Sequence, residues 1–115
     1  MKSLFLFILI FSPFFHSIAQ DVNDLAKEGA RLEDLPDEKA AFHKYREILK
    51  IQPLNIHALN KCSELSSRIG KRQTNSKLRD DYYSAAKTYA SIALKINPAN
   101  SESNCVMAMV LGRSS

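Results

Sequence analysis

Apolar residues recur at intervals of three and four along most of this chain, with polar and charged residues between them. Strand-like alternation never persists, and glycine occurs only three times. An interval of three to four residues places apolar side chains on one face of an α-helix. The pattern therefore predicts an all-α chain, with about five helices after the N-terminal segment.

Prolines, asparagines and glycines mark the ends of the predicted helices. The predicted spans are residues 21–35, 37–51, 55–70, 76–96 and 101–112. Pro36, Pro53 and Pro98 separate helices, because the residue before a proline disfavours helical backbone angles. Asn55 is placed to cap the third helix and Gly70 to stop it. The short connections predict antiparallel helix pairs.

Two predicted helices end in similar sequence, YREILKIQP at residues 45–53 and ASIALKINP at residues 90–98. Self-similarity of this kind indicates a repeat architecture. Residues 22–55 resemble a tetratricopeptide repeat, whose standard length is about 34 residues. Small residues belong where its two helices approach closely, and larger ones fill the gaps to neighbouring helices. The residues that match its signature are Leu25, Gly29, Leu32, Ala41, Tyr45, Ile48 and Pro53.

Residues 56–100 resemble a second, longer repeat, with Leu59, Ala86, Ala93 and Pro98 in signature positions. It exceeds the standard length by about 11 residues, and the surplus falls in residues 71–81 as a longer helix or a longer loop. Residues 101–115 resemble the first helix of an incomplete third repeat. Because this last helix is apolar, we expect either a longer natural chain or self-association through residues 101–112.

A second resemblance covers about half of the chain, residues 63–113. The long segment between two helices, the Tyr82-Tyr83 pair and the ending AMVLGR at residues 108–113 are similar to the repeats of the regulator of microtubule dynamics family and its exported bacterial relatives. This resemblance implies the fold and the repeat layout. It also keeps a microtubule-associated regulator open as an alternative function.

The first 19 residues have the organisation of a secretory signal peptide. Lys2 supplies the positive charge, residues 4–15 are apolar, and Ser17-Ile18-Ala19 supplies small residues for cleavage. A membrane-spanning helix needs roughly 20 apolar residues, more than are present. We expect cleavage after Ala19 and a periplasmic or envelope-associated protein, with a retained anchor as the alternative.

The net charge of +4 at pH 7 is spread over intermixed basic and acidic residues. This pattern is typical of a mixed surface and argues against a nucleic-acid partner. The densest basic stretch, residues 71–79, is followed by Asp80 and Asp81 and is interpreted as a solvated loop. No nucleophile motif or phosphate loop occurs, and His43 and His57 lack companions at metal-ligand spacing. We expect the chain to have no enzymatic activity and to bind no metal, no other cofactor and no small-molecule substrate.

The chain has two cysteines, Cys62 and Cys105. They occupy different phases of their predicted repeats, so their side chains are not expected to face each other at bridging distance. The sequence predicts two buried or half-buried thiols.

Helical-hairpin repeats bind extended peptides on the surface formed by their first helices, and this resemblance implies a protein or peptide partner. The clamp that grips a C-terminal carboxylate in chaperone-binding members is absent, since Ala26, Ala30 and Glu102 stand among its positions. The leading hypothesis is a scaffold of the bacterial envelope. The alternatives are a structural spacer in a longer exported protein, the microtubule-associated regulator, and an enzyme whose catalytic domain lies beyond Ser115. The predicted partner-binding residues are Asn23, Lys27, His57, Asn60, Lys61 and Glu64.

Overall fold

The computed structural model describes residues 17–35 and 37–114, so most of the predicted signal peptide lies outside the described residues. Within these ranges the chain forms five α-helices and no strand, which confirms the all-α prediction. No helix in the described part is long and apolar enough to cross a membrane. The helices are α1 (Ile18–Asp34), α2 (Glu38–Ile51), α3 (Ile56–Lys71), α4 (Ser76–Ile96) and α5 (Ser101–Ser114).

Local capping sets where the helices begin and end. The side chains of Asp37, Asn55 and Asn75 each accept a hydrogen bond from the backbone N–H three residues on, at 3.3, 2.9 and 3.0 Å. Each bond satisfies a donor that the first helical turn leaves unpaired. At the other ends, Gln52 and Asn97 leave the helical conformation directly before a proline. These boundaries lie within a residue of the predicted ones.

The longest described helix is α4, with 21 residues. Only Arg72–Asn75 connect it to α3, so most of the segment 71–81 is helical. Of the two alternatives for this segment, the structure shows the longer helix. The predicted solvated loop is therefore confined to the short connection, and the remaining basic residues lie on helix ends.

Each helix packs against the next along the chain, and α3 also packs against α5. Because the connections are only three or four residues long, successive helices run antiparallel. α3 lies at the centre of this arrangement, with ten buried residues. One core cluster joins the first three helices through Val22, Ala41, Tyr45, Ile48, Ala58, Cys62 and Leu65. A second joins α4 to α5 through Ala86, Ala90, Val106 and Val110.

Most of the predicted signature residues face the interior. Leu25 and Leu32 are half-buried, whereas Pro53 and Pro98 lie exposed in the connections. Burial of small residues on both α3 and α4 lets the two helix backbones approach closely. The fully buried signature residues are Gly29, Ala41, Tyr45, Ile48, Leu59, Ala86 and Ala93.

Two glycines lie directly against tyrosine side chains of neighbouring helices. A Cβ at Gly29 would lie 2.8 Å from the Tyr45 ring, and a Cβ at Gly70 would lie 2.9 Å from the Cβ of Tyr82. α3 continues past Gly70 to Lys71, so the prediction that Gly70 stops the helix is wrong. Gly70 instead provides room for α4 to pack against α3.

Candidate interaction surfaces

The six predicted partner-binding residues divide into three groups by burial. Asn23, Lys27 and His57 are exposed on α1 and α3. Lys61 and Glu64 are half-buried, and each is engaged in an ion pair. Asn23 and Lys27 can meet a partner without breaking a contact in the chain, whereas the His57 ring meets Tyr45 edge-to-face, with ring centroids 5.9 Å apart. The remaining residue, Asn60, is fully buried.

Asn60 belongs to the contact between α3 and α5. Its Oδ1 accepts a hydrogen bond of 2.9 Å from the Ser103 hydroxyl, and both residues have no solvent exposure. Its placement in a partner-binding groove is therefore wrong, because α5 covers it. The sequence of α3 carries no information about α5, whose Ser103 lies 43 residues after Asn60.

Glu33, which the sequence did not single out, connects three helices. One carboxylate oxygen accepts from the Tyr45 hydroxyl at 2.9 Å, and the other accepts from Lys61 Nζ at 3.1 Å. Burial raises the pKa of Tyr45, and the hydrogen bond to Glu33 raises it further. Tyr45 therefore stays a neutral donor, and Lys61 is held against α1 rather than extended into solvent.

An open, largely apolar groove of about 300 Å³ lies between α2 and α4. Phe42 and Tyr89 meet edge-to-face in it, with ring centroids 6.2 Å apart, and the Arg46 guanidinium carbon lies 5.5 Å from the Phe42 ring centroid. Leu78, on the α4 side of the groove, is 44% exposed to solvent. Aromatic side chains held on rigid helices are typical of protein-contact sites. The full lining is Phe42, Arg46, Leu78, Asp81, Tyr82, Ala85 and Tyr89.

Two adjoining concavities lie at the ends of α3 and α5, one bounded by the start of α2 and the other by the start of α4. Their volumes are about 450 and 440 Å³, and Lys71 and Arg113 line both. The first is completed by Glu38, Arg68 and Arg72. The second is completed by Arg79, Asp80, Tyr83 and Ser114. We call this pair the basic cavities, since five of the lining residues are cationic.

The two cysteines are both free. Cys62 is fully buried beneath α2, and burial raises the pKa of its thiol to about 12. It is therefore a packing residue with little thiolate at neutral pH. Cys105 is exposed on α5, so the prediction of a second buried or half-buried thiol is wrong for it. Within the described residues, no group of three or more His, Cys, Asp or Glu side chains is arranged to hold a metal ion.

The stacked antiparallel helices define the class of protein, an all-helical domain with a repeat-like layout. The family model for regulator of microtubule dynamics protein 1-3 matches residues 25–115. Because the match covers most of the sequence, the chain belongs to this family. It supports the second of the two resemblances seen in the sequence, whereas no family match supports the tetratricopeptide one. No curated protein matches the chain significantly.

Proposed function

We propose that the chain is a protein-interaction module that holds a partner protein on its helical surfaces. Membership of the family and the repeat-like stack support this role. In such a stack the helices are rigid and the side chains between neighbouring helices are presented at set positions. The finer assignment to tetratricopeptide-type repeats rests on the sequence signature of residues 22–55.

The groove between α2 and α4 carries this proposal. Its floor is aromatic, Arg46 lies on its α2 wall and Asp81 on its α4 wall. The occupant that fits is an aliphatic side chain of a protein partner, flanked by an acidic residue toward Arg46, since Asp81 already pairs with Lys77 at 3.3 Å. Burying such a side chain against Phe42 and Tyr89 removes apolar surface from water, and the charge of Arg46 sets the orientation of the partner.

The test compares two neutral, polar substitutions. Leu78→Asn changes the groove, whereas Leu54→Asn changes a leucine that is 66% exposed in the connection between α2 and α3. Each variant is used as bait in an extract of the source cells, and captured proteins are quantified. We expect a protein that wild type and Leu54→Asn retain and Leu78→Asn loses. Identical capture by all three baits would contradict the groove and favour a structural spacer.

A second candidate partner is the microtubule, because the matched family is named for regulation of microtubule dynamics. Microtubules polymerised from purified tubulin provide a defined probe. We expect the chain to sediment with them in proportion to polymer concentration. A chain that stays in the supernatant at every polymer concentration would contradict this candidate.

We also propose export to the periplasm or envelope, on the strength of residues 1–19 alone. An envelope scaffold and a microtubule partner make opposite demands on location, since one lies outside the cytoplasm and the other inside it. The identity of the N-terminal residue in the mature protein therefore separates the two candidates.

A further inference from the structure

The basic cavities hold most of the excess positive charge of the chain. Their lining contains five basic and two acidic residues, a net charge of +3, whereas the whole sequence has a net charge of +4. The charge is therefore concentrated in one place, although the basic residues are mixed with acidic ones along the sequence. Concave surfaces with an excess of one sign of charge concentrate ligands of the opposite sign.

Three of the five cations are not neutralised within the described part of the chain. Arg68 pairs with Glu64 and Arg72 with Glu38, but no carboxylate of the described residues lies within ion-pair distance of Lys71, Arg79 or Arg113. These three line the second cavity, and two of them also line the first. A ligand carboxylate can therefore pair with these cations without displacing a carboxylate of the chain.

Arg113 is held in position by a partly buried contact. Its Nη1 donates a hydrogen bond of 2.9 Å to the hydroxyl of Ser67, which is fully buried on α3. The remaining donors of a guanidinium are then presented at a set angle, and a planar fork matches both oxygens of a carboxylate. Ordering this long side chain in advance lowers the entropy that binding would otherwise lose.

The shape and composition of the site distinguish between acidic ligands. A lipid surface contacts the outermost side chains of a protein. These cations line concavities instead, which disfavours a lipid surface as the ligand. A nucleic-acid backbone carries a phosphate at every nucleotide and would bring several phosphates against Glu38 and Asp80. Apart from the half-buried Tyr83, the lining offers no aromatic side chain on which a base could stack. A peptide can place its carboxylates at the cations and its neutral residues at these two acids.

We propose that the basic cavities bind an acidic segment of a protein partner, rich in Glu or Asp. This inference rests on the proposed role in protein interaction and adds the chemistry of one contact. It concerns a different surface from the α2/α4 groove. Four of the five cations are arginines, which favours bidentate contacts with carboxylates.

The experiment measures binding of a labelled oligoglutamate peptide by fluorescence anisotropy at low ionic strength. The test variant is the double substitution Lys71→Glu/Arg79→Glu, and the control is Lys50→Glu/Lys95→Glu, two exposed lysines outside the cavities with the same change in net charge. We expect the test variant to weaken binding by roughly tenfold or more and the control by less than about threefold. Circular dichroism and thermal melts establish that both variants are folded.

Equal weakening by the two double variants would overturn the inference, because overall charge would then explain binding. Displacement of the peptide by phosphatidylserine vesicles or by duplex nucleic acid, at lower charge concentration than unlabelled peptide, would overturn it in favour of those ligands. The two proposals can also be refuted independently of each other. If the peptide does not bind while Leu78-dependent capture persists, the acidic-segment inference fails and the interaction module stands.

Discussion

Tyr45 donates a hydrogen bond of 2.9 Å to the carboxylate of Glu33, which ties α2 to α1. The same carboxylate accepts from Lys61 on α3. Glu33 retains only 15% of its side-chain exposure, so water replaces lost partners poorly. The contact also gives a role to the hydroxyl of Tyr45, since a phenylalanine ring would fill the same space without donating to Glu33.

We expect Tyr45→Phe to lower the free energy of unfolding by about 1–2 kcal/mol, because Glu33 then loses a buried donor while the ring still fills its space. The matched control is Tyr83→Phe, whose hydroxyl has no hydrogen-bond partner within the described residues. Urea denaturation followed by circular dichroism measures both. Equal, small effects of the two substitutions would show that the Tyr45 hydroxyl contributes nothing.

Two glycines in helices are expected to respond in opposite directions to alanine. Gly29→Ala places a methyl group 2.8 Å from the fixed Tyr45 ring and is expected to cost about 1–3 kcal/mol of stability despite the better helix propensity. Gly112→Ala meets nothing within 4 Å and is expected to be neutral or to stabilise by up to about 1 kcal/mol. Thermal melts of the two variants provide the measurement. A Gly29→Ala protein as stable as wild type would contradict the close packing.

The stability of the fold is expected to fall in alkaline solution. Burial raises the pKa of Cys62 from 9.0 to about 12, so between these values the folded chain holds a proton that the unfolded chain has released. The unfolded state then binds fewer protons, and the free energy of unfolding decreases as pH rises through this window. The full contribution is present below pH 9.

Urea denaturation across this pH range tests the effect with two variants. Cys62→Ala should have a shallower decrease than wild type, whereas Cys105→Ala, which changes an exposed thiol, should keep it. Some slope should remain in both, because burial also raises the pKa values of Tyr45 and Tyr89. Identical slopes for the two variants would contradict the role of Cys62.

The apolar sequence of α5 predicts self-association through this helix. In the structure Val106 and Val110 face the core, while Leu111 is half-exposed. We expect the average mass in sedimentation experiments to rise with concentration, and Leu111→Lys to keep the chain monomeric. Leu54→Lys, at another exposed leucine, should leave the association unchanged. A monomer at all concentrations for the unmodified chain would refute the prediction.

Export predicts a mature protein that begins at Gln20. In the structure α1 begins at Ile18, and the Ser17 side chain accepts from the backbone N–H of Gln20 at 3.1 Å. Cleavage after Ala19 would remove this cap and two helical residues but keep Val22 in the core. Mass spectrometry of the purified native protein identifies its first residue. Detection of residues 1–19 in the mature protein would contradict cleavage.

The parts of the fold that depend on neighbours in sequence were predictable. Asn75 caps α4, and prolines follow the ends of α2 and α4, because these effects act over three or four residues. Apolar spacing likewise identified the buried faces of α2 and α3. Most helix starts and ends therefore lie within one residue of the predicted positions, whereas α1 begins three residues before its predicted start and α5 ends two residues after its predicted end.

The parts that depend on distant residues were not predictable. Asn60 is a polar residue next to Lys61 in sequence, and only the contact with Ser103 on α5 shows that it is buried. The basic stretch at residues 71–79 resembles a solvated loop until Arg113 is placed beside it. The sequence around a polar residue does not indicate which later helix will bury it or add further residues to its site.

The additional turns of α4 give the two candidate surfaces a common support. Leu78 and Tyr82 line the apolar groove, while Arg79 and Tyr83, their neighbours in sequence, line the second basic cavity. A single stretch of helix thus separates the two sites. A partner that carries an aliphatic anchor and an acidic tail can act as a bivalent ligand, and its second contact forms at an effective concentration in the millimolar range for a short linker. Two individually weak contacts would then yield tight, geometry-dependent binding.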